Sequence, residues 1–212
     1  MFARLRRDSG RVVILTLAEQ IDGLLAQGEH APFAATVGIG RAGVRVAEAV
    51  HARAGWFPSI RRVDLWREED EDGGYVLSSP EPLTVRLAEL ASADSIAVVD
   101  DTIFSGITMR AVLAALPGAP RVHAFCLRAV ADSLASVAAL TPVTAGFAAS
   151  GRIIDDVSFI NASGLVKRGA IRRTGRPPLA FFERPEWMAA WFPTDHEVIT
   201  ALCRELAAEL DR

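Results

Sequence analysis

Short, unbroken apolar runs alternate along this chain with longer stretches whose apolar positions recur every three or four residues. Phe33 to Ile39, Ser95 to Val99, Val122 to Val130 and Val143 to Ala149 are of the first kind and read as strands buried on both faces. Ile60 to Trp66 alternates and predicts one more strand. Helices are predicted where the period changes. The first runs from a capping box at Thr16 and Glu19 through Ile21, Leu24 and Leu25 to Gly28. Others cover Gly43 to Ala54, with Gly55 as the stop, then Thr84 to Ala91, Met109 to Leu116 and Asp132 to Leu140. Alternation of this kind predicts an α/β fold, a mainly parallel sheet flanked by helices on both faces. Arg67 to Gly74 has nothing apolar to bury and reads as a loop, either a solvated turn or a mobile flap. Past Ser150 the pattern shifts to short β-like pieces (Ile153 to Ile160, Gly164 to Ile171, Leu179 to Phe182), then Pro185-Glu186-Trp187 and a last helix from Thr194 to Leu210. The expected organisation is a core over 1–150 with a small C-terminal extension, 151–212, packed on it as one compact domain.

Composition narrows the classes. At 212 residues, half of them apolar, the chain is long enough to bury about 70% of its unfolded surface without staples. Its apolar runs are too short to span a bilayer, and Met1-Phe2-Ala3-Arg4-Leu5-Arg6-Arg7 has no apolar core behind it, so no secretory signal is expected. Cys126 and Cys203 form no metal-ligand pattern and read as small buried hydrophobes, which points to a reducing cytoplasm. A formal net charge of −3 argues against general affinity for nucleic acid. Lys167 is the only lysine, so charged side-chain contacts to phosphate fall to arginine. The four histidines, His30, His51, His123 and His196, are scattered and read as surface or core residues.

The most informative segment is Ser95-Ile96-Ala97-Val98-Val99-Asp100-Asp101-Thr102-Ile103-Phe104-Ser105-Gly106-Ile107-Thr108. A buried strand ends in two adjacent carboxylates; hydroxyls and a glycine follow, and then a helix. In an open α/β sheet, ligands bind where strands end and helices begin. Backbone N–H groups, small hydroxyls and the positive end of a helix hold a phosphate there. The aspartates suit a sugar diol beside that phosphate, or a Mg²⁺ bridging to one.

At these residues the chain resembles the type I phosphoribosyltransferases, whose signature is an apolar strand, two acidic residues, then T-G-x-T or S-G-x-T. Here the matching residues are Val98-Val99-Asp100-Asp101 and Ser105-Gly106-Ile107-Thr108. The resemblance implies binding of phosphoribosyl pyrophosphate (PRPP). Asp100 and Asp101 would take the ribose hydroxyls, and the turn from Thr102 through Ile103, Phe104, Ser105, Gly106 and Ile107 to Thr108 would hold the 5′-phosphate. It further implies Mg²⁺ as cofactor, bridging pyrophosphate and ribose mostly through water and with no direct protein ligand. A small-molecule acceptor and a homodimer follow from the same likeness. Arg67 is the implied mobile cation, because Trp66-Arg67-Glu68 stands where orotate-type members carry R-K-E ahead of their flexible loop. This chain departs there: no lysine follows, and Glu68 to Asp72 is acidic. Arg61 and Arg62 are alternatives to Arg67. A second departure is Phe104, which stands where 6-oxopurine members place an aspartate as general base. It either walls a base pocket or points into the core.

Gly38-Ile39-Gly40-Arg41-Ala42-Gly43 is a literal G-x-G-x-x-G, with Asp64 21 residues after its last glycine. One reading is a dinucleotide-binding fingerprint with Asp64 on a ribose hydroxyl. The other, implied by the resemblance, is a pyrophosphate loop formed by Gly40, Arg41, Ala42 and Gly43. Acceptor contacts are expected from the tail, at Phe159 and Asn161, or from Phe181 to Phe192. That tail resembles, less closely, phosphoribosyltransferase-like proteins of tellurite-resistance gene clusters. The function expected is a cytoplasmic phosphoribosyltransferase acting on a nucleobase-like acceptor. The alternative from another class is a non-catalytic sensor of PRPP or nucleotides on the same fold.

Overall fold

A computed structural model describes residues 15–72, 74–119, 121–149 and 162–210, which divide into two compact units. The larger spans Leu15–Trp66 and the chain from Leu77 to the end of the strand at Ala149; the smaller takes Arg67–Val76 and, of the C-terminal part, 162–210.

In the larger unit the chain runs α1 (Leu17–Leu25), β1 (Ala35–Ile39), α2 (Gly40–Ala54), β2 (Ile60–Val63). It continues, after β3 (Trp66–Glu69) and β4 (Tyr75–Ser78), through α3 (Leu83–Leu87), β5 (Ser95–Ile103), α4 (Ile107–Ala115), β6 (Arg121–Val130), α5 (Ala131–Ala138) and β7 (Val143–Ala149). Five strands form one parallel sheet in the order β2-β1-β5-β6-β7. Helices cover both faces. On one, Ile21, Leu24, Val46, Ala47 and Val50 of α1 and α2 pack on Ala97, Val99, Phe125 and Leu127. On the other, Leu87, Met109, Val112 and Val137 of α3, α4 and α5 pack on Val37, Ile39, Ile96, Val98, Ala124 and Cys126. Successive residues of β5 thus enter opposite cores, which is why its apolar run is unbroken rather than alternating. Each buried Val, Leu, Ile, Phe or Met among them contributes roughly 1.5–3 kcal/mol by leaving water. The capping box is present: Glu19 N donates to Thr16 Oγ1 (3.2 Å) and Thr16 N to Glu19 Oε2 (2.6 Å). No helix among the described residues is long and apolar enough to cross a membrane.

The strand expected over Ile60 to Trp66 divides. Ile60–Val63 joins the large sheet, and Trp66–Glu69 becomes a strand of a second sheet ordered β4-β3-β8-β9, with β8 at Ile171–Arg173 and β9 at Arg176–Leu179. The acidic segment from Arg67, read from the sequence as a loop, is therefore partly β-structure. Its neighbours explain this: β3 pairs in parallel with β8, Glu68 in register with Arg172 and Glu69 with Arg173, and the Glu69 carboxylate is held by Arg184, so polar pairing takes the place of apolar burial. Gly164 is helical rather than β-like, within α6 (Ala162–Val166), and the Phe181 ring packs close against it; a Cβ there would sit 2.6 Å from that ring. The smaller unit closes with α7 (Pro185–Trp191) and α8 (His196–Leu210) around Leu165, Phe182, Met188, Phe192, Ile199 and Cys203.

Candidate functional site

Two strand ends converge at the carboxyl edge of the larger unit's sheet. β1 and β5 lie side by side, Gly38 opposite Val99. The chain leaves β1 over one face through α2 to β2, and leaves β5 over the other face through α4 to β6. Strand order reverses between them, and such a reversal leaves a crevice at the carboxyl edge.

Each side of the crevice brings one kind of group. β1 ends at Ile39 and α2 begins at once with Gly40, Arg41, Ala42 and Gly43; no side chain caps this helix start. Gly43 fixes its depth, since a Cβ on it would lie 2.3 Å from the Val99 carbonyl oxygen and 3.3 Å from Asp100 Cα. Only a glycine lets the first turn of α2 press against β5 beside the acid pair. On the other side Asp100, Asp101 and Thr102 are half-buried at the end of β5, and Ile103 turns back into the core. Phe104 and Ser105 are half-buried as well, so the Phe104 ring is outside the fully buried core. Gly106 starts α4 at φ +71°, a conformation other residues adopt only with strain, and no side chain caps α4 either. The uncapped first turns leave amide donors pointing at the edge where the carboxylates stand.

The acid pair is held from within and from its neighbour strand. Asp101 N donates to Asp100 Oδ1 (2.8 Å). Arg128 of β6, opposite Thr102, donates from Nη2 to Asp101 Oδ2 (2.9 Å) and to Thr102 Oγ1 (2.7 Å), and from Nε to Thr102 Oγ1 (3.1 Å). Sequence reasoning passed over Arg128, although the signal exists: it is the one charge inside the apolar run Ala124 to Val130. It passed over Arg110 too, whose Nη1 donates to Ser136 Oγ (2.8 Å) and to the Ser105 carbonyl (3.4 Å), tying the glycine turn to α5. Cys126, opposite Asp100, is fully buried; burial first and Asp100 next push its thiol well above the usual range, so it stays protonated and apolar in character.

Asp100 through Thr108 and Gly40 through Gly43 are thus brought to one sheet edge. Arg67 belongs to the smaller unit, where its guanidinium lies 5.6 Å from the centre of the Tyr75 ring. Phe159 and Asn161 lie outside the described residues. Arg61 pairs with Glu89, and Arg62 donates to Asp64 Oδ1 (2.8 Å), so the acid of the dinucleotide reading is engaged by an arginine two residues before it.

Compared by sequence, the chain matches no family model and no curated protein. Compared by structure, it is similar to a hypothetical protein from Neisseria gonorrhoeae with bound ppGpp, at 18% identity and TM-score 0.52, over 66% of this chain and 84% of that one. It is also similar to the purine phosphoribosyltransferase of Pyrococcus horikoshii (16% identity, TM-score 0.47, 66% of this chain and 89% of that). A third is the hypoxanthine phosphoribosyltransferase of Staphylococcus aureus (12%, 0.48, 66% and 78%). At these identities the likeness concerns the fold alone. The parallel five-stranded sheet with helices on both faces is the α/β fold expected from the sequence.

Proposed function

We propose that the larger unit binds PRPP and transfers its phosphoribosyl group to a nucleobase-like acceptor. In that step the bond from ribose C1 to pyrophosphate breaks and a bond from C1 to an acceptor nitrogen forms. Pyrophosphate leaves with the electron pair, and the acceptor gives up its N–H proton. One observation carries the reading: an uncapped helix start at Gly40–Gly43 and an acid pair at Asp100–Asp101 share one crevice, with a hydroxyl-bearing glycine turn directly after the acids. The amides of Gly40 to Gly43 suit the pyrophosphate, those of Ile103 to Ile107 with the Ser105 and Thr108 hydroxyls suit the 5′-phosphate, and the carboxylates suit the ribose diol between them. As C1 gains positive charge, Asp100 and Asp101 would stabilise it, and the fixed amides would take the charge of the leaving group.

Among the described residues no group of three or more His, Cys, Asp or Glu is placed to hold a metal ion. Two half-buried carboxylates at an open edge fit a hard cation held mainly by phosphate and water. Mg²⁺ would meet Asp100 and Asp101 through water, and it would neutralise charge on the pyrophosphate. A cytoplasmic setting belongs to the same proposal; the free, buried thiols Cys126 and Cys203 suit it.

The sensor reading is favoured by a separate observation. Arg67, the implied mobile cation, stands on a strand whose acidic residues face the arginines of β8, and the gonococcal protein of like fold holds ppGpp. Binding of Mg²⁺–PRPP followed by pyrophosphate release with a nucleobase panel separates the two. Release with any base supports transfer; binding without release supports the sensor; stabilisation by NADH and not by Mg²⁺–PRPP overturns both.

A further inference from the structure

We infer that Arg128 is a positioning residue of the acid corner, acting on the ligand through Asp101. The inference rests on the PRPP reading above. Adjacent carboxylates repel each other, and a ligand bearing several phosphate charges would repel both. Arg128 changes this balance. Its side chain is 28% exposed and that of Asp101 36%, so their attraction is screened less than that of a surface pair. The fork geometry matters as much as the charge. Nη2 reaches Asp101 Oδ2 and Thr102 Oγ1, Nε reaches Thr102 Oγ1, and the Thr102 hydroxyl donates on to Asp101 Oδ2 at 3.2 Å. The loop of contacts Arg128–Asp101–Thr102 fixes the Asp101 carboxylate about its χ angles and lowers the corner's side-chain charge from −2 to −1. A lysine supplies the charge from one nitrogen on a flexible stem and lacks the second contact that Nε makes to Thr102. An arginine inside the apolar run of β6 would be costly to desolvate without such partners. Its location therefore follows from Asp101 and Thr102, directly across the strand pair.

The test is a double-mutant cycle on Mg²⁺–PRPP binding by calorimetry, using the full chain, with unfolding midpoints measured alongside. Arg128→Met is expected to raise the Kd about tenfold or more, and Arg128→Lys to fall between it and wild type. Combined with Asp101→Asn, Arg128→Met should add little to the loss from Asp101→Asn alone, because the two residues act as one. Arg128→Ala should regain affinity with millimolar guanidinium ion and not with tetramethylammonium, a rescue that a merely structural role would not show. Should Arg128→Met not fold, Arg128→Lys carries the cycle. Wild-type affinity in Arg128→Met, or losses that multiply in the double variant, would overturn the inference. Absence of Mg²⁺–PRPP binding by the wild-type chain would instead overturn the PRPP reading itself, and this inference with it.

Discussion

Two pairs of neighbouring carboxylates in this molecule meet arginines from an adjacent strand, and their surroundings give them different work. Glu68 and Glu69 lie within β3, in register with Arg172 and Arg173, and Glu69 also accepts from Arg184, whose side chain is 26% exposed against 17% for the glutamate. Asp100 and Asp101 end β5 at the carboxyl edge, beside two uncapped helix starts, with Arg128 bound to Asp101. In β3 the Glu69 carboxylate is balanced by Arg184 and Glu68 accepts from the Thr174 hydroxyl, as a structural joint requires. At the end of β5 the neighbours are the uncapped first-turn amides of α2 and α4, the setting that the proposed phosphate and sugar would require. Acid pairs in sequence therefore do not distinguish a joint from a ligand site. The groups at the strand's end do.

The largest effect should come from the edge. Asp100→Asn with Asp101→Asn is expected to abolish measurable Mg²⁺–PRPP binding, a loss of about a thousandfold, with only a small drop in the unfolding midpoint, because the amide oxygen introduced at position 101 and Thr102 Oγ1 still accept from Arg128. Calorimetry and thermal unfolding check it together; wild-type affinity would remove the carboxylates from the site. The matching change in β3 should act on stability instead. Arg184→Met leaves the half-buried Glu69 without its arginine partner and is expected to cost about 2–3 kcal/mol, read from denaturant unfolding. A smaller cost for Arg184→Met with Glu69→Gln than for Arg184→Met alone would sharpen the contrast, since the uncompensated charge is then gone.

What the sequence made legible follows the same division. Both-face burial writes itself as nearly continuous apolar runs, so β1, β6 and β7 were readable within a residue or two, and so was the capping box at Thr16, whereas β5 continues four residues past Val99, where its apolar run stops. The acid pair and glycine turn were readable because a strand that stops at charge, then glycine, has few structural uses. β3 was not readable: its side chains are half-buried, with Glu69 on Arg184, Glu68 on Thr174 and Arg67 over the Tyr75 ring, and hydrophobic periodicity carries no trace of such polar contacts. Arg128 was hidden for another reason. Its partners lie 26 and 27 residues away, and only strand register brings them together.

Acid should separate the two regions next. His123 begins the aromatic cluster of the larger unit, its ring 4.4 Å from Phe125 and 4.9 Å from His30, with Nε2 2.8 Å from Thr144 Oγ1. Burial, then His30 and Arg121, push its imidazole down to about 4 from the ordinary 6.5. Between those values the unfolded chain binds a proton that the folded one refuses. Stability is therefore whole above pH 6.5 and declines as pH falls toward 4, by about 2 kcal/mol once partial solvent exposure is allowed for. Urea unfolding followed at Trp56, within the same cluster, should show this slope, and His123→Phe should flatten it. A slope unchanged in His123→Phe would place the acid sensitivity elsewhere.

The smallest change tests how the edge divides its labour between sugar and phosphate. Ser105 and Thr108 bring hydroxyls to the turn around Gly106, where the first-turn amides of α4 are uncapped. Removing one hydroxyl leaves those amides in place, because Gly106 keeps its positive φ and Arg110 still ties the Ser105 carbonyl to Ser136. Ser105→Ala and Thr108→Ala should each raise the Kd for Mg²⁺–PRPP about tenfold, the share of one charge-assisted hydrogen bond. The same variants should leave the affinity for free ribose 5-phosphate and for PRPP reduced by a similar factor, since both carry the 5′-phosphate. The Asp100→Asn, Asp101→Asn pair should likewise weaken both, by the larger factor. If Ser105→Ala proved more damaging than the loss of both carboxylates, the edge would be an anion cradle with incidental acids. The resemblance between β5 and β3 would then run deeper than the difference argued from their strand ends.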